Sequence, residues 1–246
     1  MSHDPIDQAR RLVHERFPDA LAAILAGSTA TGRATAGSDL DIAVLVADGG
    51  ETYRETLRSE GRVVELFVHT RAGLRDLCAV DVATRRAVMP SMYATGLVLV
   101  DVDGEAARAR ARAEEALRGG PAGLAPDTVE TKRYALTDAL DDLRDTTDAF
   151  ERLAVAGVVV STAVDLLCDH HRAWTGSGKW LPRRLLAADP ERGAALLDAH
   201  ARLGATQDPA ALIAAASAVL ELVGGALREG YRRTWRTVAE PFAAVR

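Results

Sequence analysis

Cysteine is scarce: Cys78 and Cys168 are the only two, far apart and without CxxC spacing. That argues against a zinc site and points to a reduced protein, expected in the cytoplasm. Aromatic residues make up only 4% of the chain, so its 48% hydrophobic content is mostly Ala, Leu and Val. Such side chains suit closely packed helices. A basic surplus is also missing. Thirty Lys and Arg stand against 35 Asp and Glu, a net charge of −5. A protein built around a nucleic-acid backbone usually carries the opposite balance, so nucleic acid is not the expected partner. A mildly acidic surface suits a neutral or cationic acceptor. No apolar run approaches the roughly 18 residues of a membrane span. The start Met1-Ser2-His3-Asp4-Pro5 has neither the basic nor the apolar stretch of a signal peptide. No membrane association is expected.

What is present falls into two parts. Residues 5–17 have helical spacing, with Ile6, Ala9, Leu12 and Val13 on one face and Pro18 as the stop. Leu21 to Ala26 reads as a strand entering a turn at Gly27-Ser28. Asp39 to Val46 starts with two acids and becomes wholly apolar, as a buried strand does. Asp48-Gly49-Gly50 signals a turn, and Thr52 to Ser59 is expected to form a short helix. Arg62 to His69 is a strand by its β-branched and aromatic content. A helical stretch around Leu74 and Leu77, a strand over Val98 to Val102 and a helix over Glu105 to Arg118 complete this part. Gly119-Gly120-Pro121 and Ala125-Pro126 then punctuate the chain. Beyond them almost only helices are expected: Asp127 to Ala154, Ala156 to Trp174, Glu191 to Leu203, Pro209 to Leu227 and Glu229 to Val238. A loop is expected over Gly176 to Pro182. The fold class is therefore α+β: a small mixed-sheet domain over 1–120, followed by an α-helical bundle over 121–246.

The chemistry concentrates in Gly27-Ser28-Thr-Ala-Thr-Gly32-Arg33-Ala-Thr-Ala-Gly-Ser38-Asp39-Leu-Asp41. Gly27 lets the backbone turn tightly against a phosphate. Ser28 supplies a hydroxyl, and the segment after it can open a helix whose free N–H groups face an anion. Arg33 can add positive charge. Asp39 and Asp41, two apart at the head of a strand, point to the same face. Two carboxylates about 4 Å apart repel by about 4 kcal/mol at an effective dielectric near 20. A cation between them removes that cost, and oxygen-only ligands select Mg²⁺ or Mn²⁺ over zinc. Glu65 interrupts Val63-Val64 and Leu66-Phe67-Val68, and a charge inside such a strand needs a partner or a metal. If its strand lies beside that of Asp39, three carboxylates can hold two metal ions.

The ordered set of Gly27-Ser28, Gly32, Ser38-Asp39 and Asp41 resembles the signature of the polymerase-β-like nucleotidyltransferase superfamily. The closer resemblance is to the superfamily's minimal members and to antibiotic nucleotidyltransferases of the kanamycin and streptomycin type, in which a helical domain follows a similar N-terminal one. The resemblance implies that Asp39 and Asp41 bind Mg²⁺ and that Gly27 and Ser28 hold the nucleotide phosphates; Arg33, by its charge, and Ser38, within the motif, are assigned to the nucleotide beside them. Glu65 becomes a third ligand or the general base. Gly176-Ser-Gly-Lys179-Trp-Leu-Pro182 resembles a loop of streptomycin-type enzymes whose lysine reaches the ATP phosphates, which assigns Lys179 to the nucleotide. The expected activity is transfer of a nucleoside monophosphate, AMP from ATP by family majority, to a hydroxyl of a small molecule such as an aminoglycoside-like antibiotic. The alternative is a protein acceptor, as in toxin–antitoxin nucleotidyltransferases. Resembling enzymes in some cases share a site between subunits, so a homodimer is among the expectations.

On the acceptor side, Asp138 and Asp142 share a helix face, with Asp141 and Asp145 beside them. That patch can receive an acceptor's hydroxyl proton or ammonium groups. Alternatively, it is a solvated acidic face compensated by Arg144. Trp174 and Trp180 are candidates for stacking on a base or for the core. Asp169-His170-His171 lacks a third ligand at recognisable spacing.

Overall fold

The computed structural model describes residues 4–35 and 37–234. Along the chain run α1 (Pro5–Arg16), β1 (Ala22–Ala26), α2 (Gly27–Ala30), β2 (Leu40–Leu45), β3 (Tyr53–Ser59) and β4 (Arg62–His69). They are followed by α3 (Arg71–Thr84), α4 (Val88–Thr95), β5 (Leu97–Asp101) and α5 (Glu105–Gly119). The remainder is helical: α6 (Pro126–Asp145), α7 (Ala149–His170), α8 (Trp180–Ala188), α9 (Pro190–Thr206) and α10 (Ala210–Leu222). The α+β class expected from the sequence is what the chain adopts. Two compact units result: residues 4–123 together with Arg172–Arg184, and Leu124–His171 together with residues 185–234.

In the first unit the sheet runs β3-β4-β2-β1-β5. Only β2 and β4 are parallel, and the other neighbours are antiparallel. Side chains alternate across the sheet, so each central strand is apolar on both faces. Leu40, Ile42 and Val44 pack with Val64, Leu66 and Val68 under Ala9 and Val13 of α1. Ala43 and Leu45 face Met89, Met92 and Tyr93 of α4 and Ala106, Ala109 and Ala113 of α5. Asp39, Asp41 and Glu65 have the parity of this second face. They lie at the end of the sheet where β2 begins.

The segment expected as a short helix, Thr52 to Ser59, is instead the edge strand β3. Its residues alternate between exposed and half-buried, and an edge strand tolerates that polarity. Glu60 and Gly61 follow with φ of 46° and 82°. Two successive positive φ values make the tight hairpin turn that returns the chain into β4.

In the second unit α6 packs on α7, and α9 and α10 pack on each other and on α7. Leu136, Leu140, Leu143, Val159, Ala163, Leu167, Leu196 and Leu203 are buried there. The single helix expected over Asp127 to Ala154 is broken at Thr146. Asp148 restarts the chain as the N-cap of α7, accepting from the Phe150 and Glu151 N–H groups at 2.9 and 3.0 Å. Helix α7 is long and apolar enough to cross a membrane by length and composition, although Ser161, Thr162 and Asp165 interrupt its apolar run. One side of it, Ala156 through Cys168, is buried in the unit, whereas Phe150 and Val158 are exposed. The loop expected to reach Pro182 ends earlier, because Trp180 starts α8. Helix α10 stops at Leu222, short of the expected Leu227, and residues 229–234 are not helical. The rest of the expected final helix, 235–238, lies outside the described residues.

Replacing the α7 cap, Asp148→Ala, is expected to destabilise the protein by about 1 kcal/mol in chemical denaturation. An unchanged midpoint would show that the two N–H groups are satisfied without it.

Candidate active site

Strand register assembles the acids. In the parallel β2–β4 pair Asp41 lies opposite Glu65, and in the antiparallel β1–β2 pair it lies opposite Ala26. Asp39 precedes β2 by one residue and shares the parity of Asp41. One carboxylate oxygen from each of Asp39, Asp41 and Glu65 falls within 4.8 Å of the others. All three residues are half-buried. Burial first, then the charges of Asp39 and Glu65, push Asp41 up to about 6, while Lys179 and Arg54 pull it the other way. The donor set is all oxygen, its charges are crowded, and it is open on one side. These features fit a hard divalent cation.

Gly27 closes the site from β1. Its φ is +70°, and a Cβ there would collide with the Asp41 carboxylate. Both facts restrict the position to glycine. The turn continues into α2, a helix of only four residues. Ser28 accepts the Arg33 N–H through its carbonyl at 2.9 Å. The Arg33 side chain is exposed and donates to the Thr31 hydroxyl at 3.3 Å. The Ser38 hydroxyl accepts the Thr35 N–H at 2.9 Å, and its carbonyl accepts from Arg62 at 2.9 Å. Ser38 thereby holds the approach to β2 in shape.

Arg54 comes from the misread strand β3. Its guanidinium donates to Oε2 of Glu65 at 2.6 Å and lies 4.9 Å from the centroid of the Phe67 ring. The pair leaves Oε1 of Glu65 free of that contact. Sequence reasoning missed Arg54 because a helix at this position would not set it beside β4.

A cavity of about 160 Å³ adjoins the acids, lined by Gly27, Asp41, Phe67, Arg86, Trp180 and Arg184 among others. The segment Arg172–Arg184 supplies one wall. Thr175 ties it down by donating its N–H and hydroxyl to the Arg85 carbonyl at 2.7 and 3.0 Å. Gly176 allows this course, since a Cβ there would strike the Trp180 backbone. Arg85 and Ala87 both have positive φ, at 62° and 53°. The Asp81 carboxylate fixes this strained corner by accepting the Met89 N–H at 2.6 Å. Arg86 sits at the corner and bonds the Ser177 hydroxyl; Arg184 bonds the Ser91 hydroxyl at 2.7 Å. Among the described residues neither arginine pairs with a carboxylate. Trp180 is 40% exposed, with Arg183 and Arg184 at 5.1 and 5.5 Å from its ring. Arg86 and Arg184 carried no sequence signal, because neither belongs to a motif.

Residues 6–77 match the family model described as a nucleotidyltransferase domain. This part of the chain is a nucleotidyltransferase domain. It makes the protein an enzyme of nucleoside-monophosphate transfer in the general sense. The solved structures similar to it include a nucleotidyltransferase-like protein from Exiguobacterium sibiricum 255-15, at 11% identity and a TM-score of 0.44 over 89% of this chain and 74% of that one. No curated protein matches the sequence.

Of the other expected site residues one lies near the acids and the rest lie elsewhere. Lys179 is exposed just before α8, close enough for its charge to act on Asp41. Asp138 and Asp142 lie on α6 in the second unit. Asp138 is ion-paired with Arg228, which also reaches Asp141 at 3.4 Å, and Asp142 is exposed. Trp174 is buried, and its indole N–H donates to the Leu117 carbonyl at 3.2 Å, a core role. His171 bonds Asp189, the N-cap of α9, at 3.1 Å.

The raised Asp41 makes cation affinity depend on pH. Below about 6 the proton competes with the metal, so Mn²⁺ affinity is expected to rise roughly tenfold per pH unit toward pH 6 and to flatten above it. In the metal-free protein the same group binds a proton more tightly folded than unfolded. Its contribution to stability is therefore present below the unfolded value of 3.8 and is lost as pH rises through 6. Calorimetric titration with Mn²⁺ across pH 5 to 8 checks the first statement, and a flat profile would contradict it. Gly27→Ala is expected to abolish Mn²⁺ binding while leaving a cooperative thermal transition.

Proposed function

We propose that the protein transfers AMP from ATP, with Mg²⁺, to a hydroxyl group of a small molecule, with an aminoglycoside-like antibiotic as the leading acceptor class. The observation that carries this reading is the meeting of Asp39, Asp41 and Glu65 beside the Gly27 turn within a nucleotidyltransferase domain.

Asp39 and Asp41 would hold the cation, and Glu65 would either join them or accept the acceptor's proton through Oε1. A bound divalent cation would supply charge neutralisation at the phosphate oxygens and at the attacking oxygen. Gly27 and Ser28 bring backbone and hydroxyl donors to the phosphates. Lys179, Arg86 and Arg184 would meet the triphosphate's negative charge; the two arginines bond neutral hydroxyls, and among the described residues neither pairs with a carboxylate. Trp180 and Phe67 offer flat faces for the base. The acceptor hydroxyl attacks the α-phosphorus, the bond to the bridging oxygen breaks, and pyrophosphate leaves with its electron pair. The second unit, Leu124–His171 with residues 185–234, which carries Asp138 and Asp142, is the proposed acceptor domain.

Labelled NTPs with Mg²⁺, screened against aminoglycosides, lincosamides and proteins, test the reading. Label from ATP on a small-molecule hydroxyl, with matching pyrophosphate release, is the expected result. Label only on protein would favour the toxin–antitoxin alternative, and no transfer to any acceptor would defeat the proposal. Asp41→Asn is expected to lower kcat/KM on the order of a thousandfold. Trp180→Ala is expected to raise KM for ATP roughly tenfold with a smaller change in kcat.

A further inference from the structure

A second cavity, of about 270 Å³, opens in the first unit between α3 and α5 and shares no lining residue with the one at Asp41. Its floor is apolar: Leu45, Leu74, Tyr93, Ala109, Ala113 and Ala116. Cys78, half-buried, also lines the cleft; burial, then the charge of Asp81, pushes its thiol up to about 11. Four arginines line the walls, Arg71 and Arg75 on α3 and Arg108 and Arg112 on α5. Each pair is spaced i, i+4, so its two guanidiniums lie on one helix face.

One end of the cleft is self-satisfied. Glu105 accepts from Arg71 at 2.7 Å and from Arg108 at 2.9 Å, and Asp48 takes a further bond from Arg71 at 3.2 Å. The other end is not. Among the described residues neither Arg75 nor Arg112 pairs with a carboxylate, and they come from opposite walls. The cleft is therefore positive overall, and Arg75 and Arg112 are the two lining arginines that have no carboxylate partner among the described residues.

We infer that this cleft binds a small amphipathic anion, its carboxylate or phosphate head held between Arg75 and Arg112 and its apolar body on the floor between α3 and α5. An apolar surface with a few convergent charged groups is the general form of a small-molecule site, and guanidiniums favour oxyanions. The volume sits just under the usual range of about 300–1,000 Å³ for larger ligands, which sets the scale of the occupant.

The full chain titrated with octanoate, octyl phosphate and octanol, read by methyl NMR and calorimetry, tests this. One equivalent of each anion should bind with a dissociation constant of roughly 0.1–1 mM, shifting methyls of Leu45, Leu74, Ala109 and Ala113. Octanol should bind at least tenfold more weakly. The exposed pair Arg75→Gln/Arg112→Gln should lose at least tenfold in affinity for the anions, and Arg75→Glu/Arg112→Glu should lose more, with unchanged thermal melting. Failure of both anions to bind, or binding indifferent to these variants, would overturn the inference. So would displacement of the anions by a non-hydrolysable ATP analogue, which would place them in the nucleotide cavity. Vesicles of phosphatidylglycerol distinguish a free anion from a membrane lipid. No co-sedimentation is expected, and co-sedimentation that depends on Arg75 and Arg112 would replace the small-molecule site with a membrane contact.

Discussion

Three carboxylates gathered within 4.8 Å repel one another, and the first unit is built so that they cannot move apart to relieve it. Asp41 and Glu65 face each other in a fixed parallel register, and that register is locked by what the neighbouring residues bury. A slip of one residue in β2 would exchange Leu40, Ile42 and Val44 with Asp41, Ala43 and Leu45 across the sheet, placing an acid under α1 and exposing the core. The hydrophobic effect on both faces thus holds an electrostatically unfavourable cluster in place. Arg54 and Lys179 soften the repulsion, but Asp41 remains raised to about 6. A cation placed among the three carboxylates would relieve that repulsion.

The surroundings follow the same logic with the opposite sign. Arg86 and Arg184 stand over the adjoining cavity with hydroxyls as partners, so the positive charge is held in position without being neutralised. Their placement depends on the strained corner at Arg85 and Ala87 and on the Asp81 carboxylate beneath it. It depends equally on the return of Arg172–Arg184 to the first unit. An acidic end and a basic wall facing one cavity match a metal–triphosphate, in which the same separation of charge occurs.

Much of this was legible in the sequence, for identifiable reasons. Asp41 and Glu65 are acids in apolar strands, with Asp39 just ahead of the first, and period two sets their face; the long-range pairing of β2 with β4 was the unknown. Gly27 could be singled out as a turn, but the reason no other residue fits, the Asp41 carboxylate at its Cα, is a tertiary fact. Thr52 to Ser59 was misread because its polar composition resembles a helix surface, whereas an edge strand imposes few apolar requirements. Arg54 was lost with it. Arg86, Arg184 and the cleft between α3 and α5 were hidden because each is assembled from residues that are ordinary surface arginines until the fold juxtaposes them. The break at Thr146 was hidden because no Gly or Pro marks it; only the polar run 144–148, ending in the capping Asp148, signals the restart.

The measurement closest to the central claim is the anomalous scattering of Mn²⁺ in crystals grown with a non-hydrolysable ATP analogue. The expected result is a peak about 2.0–2.2 Å from carboxylate oxygens of both Asp39 and Asp41, with the triphosphate against the Gly27 turn. Nucleotide bound in the cavity with no peak between Asp39 and Asp41, or with the ion held elsewhere, would contradict the assignment of the carboxylate cluster as the metal centre.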